Sequence, residues 1–128
     1  MPSAVLDASA VIALLRDEPG ANAVLAVLGS AVISAVNLQE VYRHLIADGI
    51  PPGVAQELVG DLRMEVRNHD AQAALAAAAL GPVTREAGSG LGDRSCMALA
   101  IAEQIPAVTA DRSWKKVKAK GLKVELIR

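Results

Sequence analysis

Short apolar runs alternate with longer amphipathic stretches along the whole chain. Compact apolar runs bounded by polar or turn residues read as strands buried on both faces, the habit of a parallel sheet. Residues 4–7, 31–35, 64–67, 107–110 and 123–127 fit that pattern. Helical spacing fills the intervals. One helix is expected over 9–16, ended by Asp17-Glu18-Pro19-Gly20, and another over 21–28, ended by Gly29. Others follow at 38–47, closed by Asp48-Gly49, and from Pro51-Pro52 to about Leu62. An Ala-rich helix, 70–80, is capped by Asp70 and stopped by Gly81-Pro82. A Gly-rich loop, 83–92, leads to a helix over 94–104, and a last one is expected over 114–120. Strands alternating with helices predict an α/β fold, a three-layer α/β/α sandwich around a small, mostly parallel sheet.

Four of the strand-to-helix junctions carry an acid: Asp7, Glu40, Asp93 and Asp111. Each has a local explanation. Asn37-x-x-Glu40 has the spacing of a capping box, Asp93 and Asp111 suit N-caps, and Asp7 suits a cap for the helix starting at Ser9. Caps, however, are commonly Ser, Thr or Asn as well as Asp, and here every best junction holds a carboxylate. Ligands of open α/β sheets bind at the carboxyl ends of strands. Carboxylates gathered there repel one another unless a hard cation holds them together. Ser9 and Thr109 add hydroxyls at the same edge, and Asn37 an amide, each suited either to orienting a ligand or to ordinary capping. None of these motifs contains His, which favours Mg²⁺ or Mn²⁺ over zinc. The pattern points to metal-dependent phosphate chemistry.

Composition narrows the alternatives. The 128 residues suit a single domain, 1–128, and 52% of them are apolar. With one Trp, one Tyr and no Phe, recognition of single-stranded nucleic acid by stacking on aromatic rings is disfavoured. Trp114 and Tyr42 read as packing or interface residues. Cys96 is the only cysteine, so neither a disulfide nor a zinc cluster is available, and it reads as a small core residue. The longest apolar stretch, 23–36, is interrupted by Gly29-Ser30 and falls short of the roughly 20 residues a spanning helix needs. The N-terminus lacks a basic region before its apolar stretch, so a cytoplasmic location is expected. Net charge is −1, but Arg112, Lys115, Lys116, Lys118, Lys120, Lys123 and Arg128 face a single acid, Glu125, in the last segment. That basic tail suits a polyanion held near the acids, or equally a solvated amphipathic helix. Helices over 38–62 carry Val41, Leu45, Ile46, Val54, Leu58 and Val59, a surplus that suggests a protein partner.

Val5-Leu6-Asp7-Ala8-Ser9-Ala10-Val11-Ile12-Ala13-Leu14-Leu15 resembles the opening motif of PIN-domain ribonucleases. Ile33 to Val41 with Glu40 resembles their second motif, Leu91-Gly92-Asp93-Arg94 their third, and Val108-Thr109-Ala110-Asp111-Arg112 their fourth. The Asp17-Glu18-Pro19-Gly20 turn and the Val124-Glu125-Leu126-Ile127 ending look most like VapC-type toxins of toxin–antitoxin pairs. The likeness runs in order over nearly the whole chain. It implies a PIN fold, endoribonuclease activity dependent on Mg²⁺ or Mn²⁺, a homodimer, and inhibition by a small antitoxin whose tail enters an acidic groove. It makes Asp7, Glu40, Asp93 and Asp111 the metal-binding quartet. Asp7 and Asp93 would hold the principal ion, and Glu40 and Asp111 would complete the site and orient the attacking water. Many relatives have a further acid two residues after the last Asp; Ser113 stands there in this chain, which weakens a second metal site.

Other residues carry two readings each. Arg94 suits a contact to the scissile phosphate or a surface ion pair, and Arg85 and Glu86 lie in a loop that either closes over substrate or merely connects. His44 reads as a surface helix residue and His69 as the lead-in to Asp70. Among competing functions, a weakly catalytic PIN-like module acting through antitoxin-linked DNA autoregulation is countered by the intact quartet. A phosphohydrolase of the aspartyl-phosphate type wants Asp-x-Asp, and here the pair is Asp7-x-Ser9. A receiver domain is disfavoured because its acceptor Asp ends a central strand, not the only strand before the first helix.

Overall fold

A computed structural model describes residues 1–128. Its five strands are β1 (Ala4–Leu6), β2 (Ala31–Ser34), β3 (Glu65–Arg67), β4 (Ala107–Thr109) and β5 (Val124–Leu126). They form one sheet in the order β3-β2-β1-β4-β5, and every neighbouring pair is parallel. Between them lie α1 (Ala8–Leu15), α2 (Ala21–Val27), α3 (Ala35–Ala47), α4 (Pro52–Gly60), α5 (Ala71–Ala79), the single turn α6 (Gly81–Thr84) and α7 (Leu91–Glu103). The expected strands are all present, and the sheet is wholly rather than mostly parallel. Strand β1 is central, so the argument against a receiver domain from strand position does not hold. Strand order supplies the better reason, since receiver domains follow 2-1-3-4-5.

The order explains the layers. Right-handed crossovers place helices on one face while strands are added in one direction, and on the other face once the direction reverses. Successive strand side chains point to opposite faces, and the core divides accordingly. Leu6, Ile33 and Val108 pack with Val11, Val24, Val41 and Leu45 on the α1–α4 side. Val5, Val32 and Ala107 pack with Cys96, Met97 and Trp114 on the α7 side. Cys96 is fully buried, and burial, with the charge of Asp7 next in size, pushes its thiol well above the usual range. It is a core residue and not a nucleophile. Of the apolar surplus expected on α3 and α4, Val41, Leu45 and Val59 belong to the core, and only Ile46, Val54 and Leu58 are exposed. No helix is long and apolar enough to cross a membrane.

Three boundaries differ from expectation, each for a local reason. Helix α3 begins at Ala35 because Ser34 Oγ accepts the Val36 N–H at 3.2 Å. Asn37 therefore sits inside the first turn and is not a cap. Helix α7 begins at Leu91, and Asp93 is its third residue, its Oδ2 accepting the N–H of Gly90 at 3.0 Å. The expected helix over 114–120 is instead a 3-10 helix, Arg112–Lys116, that buries Trp114, followed by extended chain at Val117. The basic tail is thus not an amphipathic helix. Because β4 and β5 are parallel, their connection must return to the amino edge, which carries Lys118, Lys120 and Lys123 away from the carboxyl edge.

Beyond β5 the chain comes back to that edge and clasps the turn between α1 and α2. Ile127 N–H donates to Thr109 O at 3.0 Å, and Arg128 Nη1 donates to Pro19 O at 2.9 Å. Gly20 in that turn has φ +98°, and a Cβ there would stand 2.7 Å from the Ile127 carbonyl oxygen. Backbone cannot yield as a side-chain tip can. Gly20→Ala should therefore cost about 1–3 kcal/mol in urea unfolding; wild-type stability in that variant would contradict the close approach.

Candidate active site

The strand order reverses between β1 and β4, which makes their carboxyl ends the place where such sheets bind ligands. Asp7 directly follows β1, and Asp111 caps the 3-10 helix after β4, its Oδ1 accepting the Ser113 N–H at 2.9 Å. Glu40 comes from the second turn of α3 and Asp93 from the first turn of α7. All four line one cleft of about 300 Å³, together with Ser9, Glu18, His44 and Arg128. The four acids singled out by sequence are brought together by the fold.

Each carboxylate is fixed through one oxygen. Ser9 Oγ and Thr109 Oγ1 donate to Asp7 Oδ2 at 2.7 and 2.8 Å. The same hydroxyls accept backbone N–H groups, Ser9 from Ala110 and Thr109 from Asp111, both at 3.0 Å. They lace the ends of β1 and β4 together, so Asp7 occupies the N-cap position of α1 without bonding its helix amides. Asn37 Nδ2 donates to Glu40 Oε1 at 2.8 Å and to Gly92 O at 2.9 Å, tying α3 to α7. Ser113, where an acid was a possibility, donates its Oγ to Asp111 Oδ1 at 2.6 Å and so steadies that carboxylate. The opposite oxygen of each acid makes no hydrogen bond within the chain.

Arg94 does not reach the cleft. Its Nη1 donates to Ser89 O at 2.6 Å, it forms no ion pair, and it lines a neighbouring cavity. Three lining residues escaped the sequence reading. His44 is four residues after Glu40 on α3, a spacing that puts both on one helix face and was the available signal. Glu18 and Arg128 are distant in sequence and meet through the clasp, Arg128 Nη1 donating to Glu18 Oε1 at 3.3 Å. Gly92 was quoted only as part of a motif. A Cβ there would lie 2.3 Å from both Glu40 carboxylate oxygens, so its bareness makes room for that acid. A glycine inside a helix start, where it is locally unfavourable, was the signal.

Electrostatics sets the character of the cleft. Asp7 is 4% exposed, and burial raises its pKa to about 6 against the opposing hydroxyls of Ser9 and Thr109. The charges of Asp93 and Glu40 push the same way. Burial also raises Asp93, opposed by the Gly90 N–H and reinforced by Asp111. The buried Trp114 indole N–H tempers Asp93 slightly but completes no hydrogen bond. Arg128, the only Lys or Arg lining the cleft, is engaged by Glu18.

Such an edge asks for a cation. No three His, Cys, Asp or Glu side chains are arranged to hold an ion as they stand. What fits is the donor chemistry: carboxylate oxygens with one position uncommitted, which suits Mg²⁺ or Mn²⁺.

A five-stranded parallel sheet with acids converging at its switch point defines a Rossmann-like α/β protein with an acidic edge site. The chain belongs to the PIN domain family, whose model matches residues 4–120. In fold it is similar to the DNA-bound VapBC of Salmonella typhimurium, with a TM-score of 0.75, 18% identity and 100% coverage of both chains. VapBC2 of Rickettsia felis, bound to a promoter DNA fragment, gives 0.74 at 18% identity, covering 96% of this chain and 97% of that one. VapBC-5 of Mycobacterium tuberculosis, of the VapBC toxin–antitoxin family, gives 0.62 at 22% identity, covering 98% and 99%. No curated protein matches the chain by sequence.

Proposed function

We propose that this chain is the nuclease toxin of a toxin–antitoxin pair, a divalent-metal-dependent endoribonuclease in which residues 1–128 act as one domain. The observation that carries the reading is the convergence of Asp7, Glu40, Asp93 and Asp111 at one sheet edge, each held by one oxygen and open at the other. Membership of the PIN family and the fold shared with VapBC complexes support it.

Asp7 and Asp93 would hold the principal Mg²⁺ or Mn²⁺, with Glu40 and Asp111 completing the site. A bound divalent ion supplies charge neutralisation at the phosphate and a lowered pKa for the attacking water. The chain's own residues do the rest. Ser9 and Thr109 fix the Asp7 carboxylate, Asn37 fixes Glu40, and Ser113 fixes Asp111. Glu40 and Asp111, which line the cleft, would orient the attacking water for in-line displacement at a phosphodiester, the ribose oxygen leaving and taking up a proton from solvent. His44, four residues from Glu40, borders the path.

A cytoplasmic homodimer inhibited by a small antitoxin completes the reading. The exposed Ile46, Val54 and Leu58 are candidate contact residues for either partner. An acidic cleft edged by Arg128 is suited to a basic antitoxin segment.

Purified protein incubated with labelled total RNA should give discrete fragments in Mg²⁺ or Mn²⁺, none in chelator, and none from Asp93→Asn. Absence of cleavage with every metal, from folded protein free of antitoxin, would overturn the nuclease reading in favour of a binding module.

A further inference from the structure

The carboxyl edge of the sheet holds a second concavity that the acids do not use. Between α5, α6 and the first turn of α7 lies a cavity of about 490 Å³ whose charged lining is Arg85 and Arg94, with His69 beside them and no acid. A smaller one, of about 280 Å³, opens at the ends of β2 and β3, edged by Ser34, Asn68 and Gln72 over alanine walls. His69 and Ser95 border both, so the two form one groove. Asp70, the acid along its smaller end, is engaged as the cap of α5, its Oδ1 accepting the Ala73 N–H at 2.9 Å.

Neither arginine of this groove is held in an ion pair. Ion pairs take up Arg16, Arg67 and Arg128, and none involves Arg85 or Arg94. Arg67 shows the contrast: Glu103 and Glu65 bracket it at 2.7 and 2.9 Å. Arg94 is held in place by Ser89 O without losing its charge. Asp93 and Arg94 are consecutive in the first turn of α7, so the acidic cleft and the basic groove lie on two sides of one helical turn.

Resting on the nuclease reading above, the geometry points to this groove as the seat of a nucleotide flanking the scissile bond of single-stranded RNA. Arg85 and Arg94 meet its phosphate, and the Asn68–Gln72 end meets the edge of its base. A flanking phosphate needs cations outside carboxylate ion pairs; Arg85 and Arg94 are such cations, with Arg94 also lending its charge to the neighbouring Asp93. Neither Trp nor Tyr lines this groove, so its base contacts fall to polar side chains and His69. Amide side chains offer both donor and acceptor, so Asn68 and Gln72 can tell base edges apart where an aromatic face could not. The groove thus sets sequence preference while the cleft performs the chemistry.

The test uses fluorescein-labelled RNA decamers of A, C or U, with Ca²⁺ replacing Mg²⁺ so that fluorescence anisotropy reads binding. Arg85→Glu should weaken binding about tenfold or more, while Lys123→Glu, an equal charge change at the amino end of β5, should weaken it less than about twofold. Ala76→Leu, from an exposed position on α5 that borders the smaller cavity, should weaken binding unevenly among the three decamers. Equal losses for Arg85→Glu and Lys123→Glu, with Ala76→Leu binding as wild type does, would overturn the groove even if the protein cleaves RNA. So would a change of oligomeric mass in Arg85→Glu with RNA affinity unchanged, which would make the face a protein interface. Failure of the wild type to cleave RNA in Mg²⁺ is a separate result that removes the nuclease reading itself.

Discussion

Asp7→Asn should abolish cleavage and, in the same protein without metal, raise the melting temperature. The carboxyl of Asp7 titrates near 6 in the folded chain against a reference of 3.8, chiefly through burial. Below the lower value both folded and unfolded states hold the proton and nothing is lost. Between the two, the unfolded chain gives up its proton while the folded chain keeps it, so stability falls as pH rises through that window and stays low above it. A difference of about two pH units corresponds to about 3 kcal/mol, or on the order of 10 °C in a chain of this size. Asn keeps an oxygen for Ser9 and Thr109 and carries no charge to desolvate. In chelator, the wild-type melting temperature should decline from pH 4 to about 6, and the variant's should be flatter and higher at pH 7. Adding Mg²⁺ should restore the wild type and leave the variant unmoved, since only the folded wild type binds the ion. A wild type flat across this range, or a variant less stable at pH 7, would show that Asp7 is not under this strain.

Gly92→Ala is expected to leave the fold intact and disable the site. The added methyl would stand 2.3 Å from both Glu40 oxygens, so the carboxylate must leave its seat. It is the end of a flexible side chain, and alanine suits a helix better than glycine. Urea unfolding should therefore change by less than about 1 kcal/mol. Asn37, which bonds both Glu40 and the carbonyl of Gly92, loses its geometry as well. Metal affinity by calorimetry should fall about tenfold or more, as when supporting contacts of a metal site are removed, and cleavage should fall with it. Unchanged affinity in a folded Gly92→Ala protein would remove Glu40 from the metal site. A large loss of stability would mean that Glu40 is pinned more tightly than one amide bond implies.

The strands were legible because Ala4–Leu6, Ala31–Ser34 and Ala107–Thr109 are buried on both faces, and such runs have few other readings. The acids were legible as a set because each stands at a junction between elements. What escaped the sequence depends on distance along the chain. Asn37 looked like a cap because its spacing to Glu40 is local, whereas its second partner, Gly92, is 55 positions away. Arg128 and Glu18 are 110 apart and meet only when β5 lies beside β4. Asp93 passed for a cap because acids are favoured both at the N-cap and at the third helical position, where Asp93 instead accepts the Gly90 N–H. Residues 114–120 passed for a helix because Lys and Ala favour one, but Trp114 had to be buried close after β4, and a 3-10 turn does that in fewer residues.

The lacing of Thr109 to Asp7 spans 102 positions of the chain. Proteins are synthesised from the N-terminus, so Asp7 is made 102 residues before Thr109. Until β4 has left the ribosome, the central strand lacks one neighbour and Asp7 lacks a hydroxyl partner and a companion acid. On the proposed reading, a nascent toxin cannot cleave the messages around it until β4 and Asp111 have emerged and the site can close.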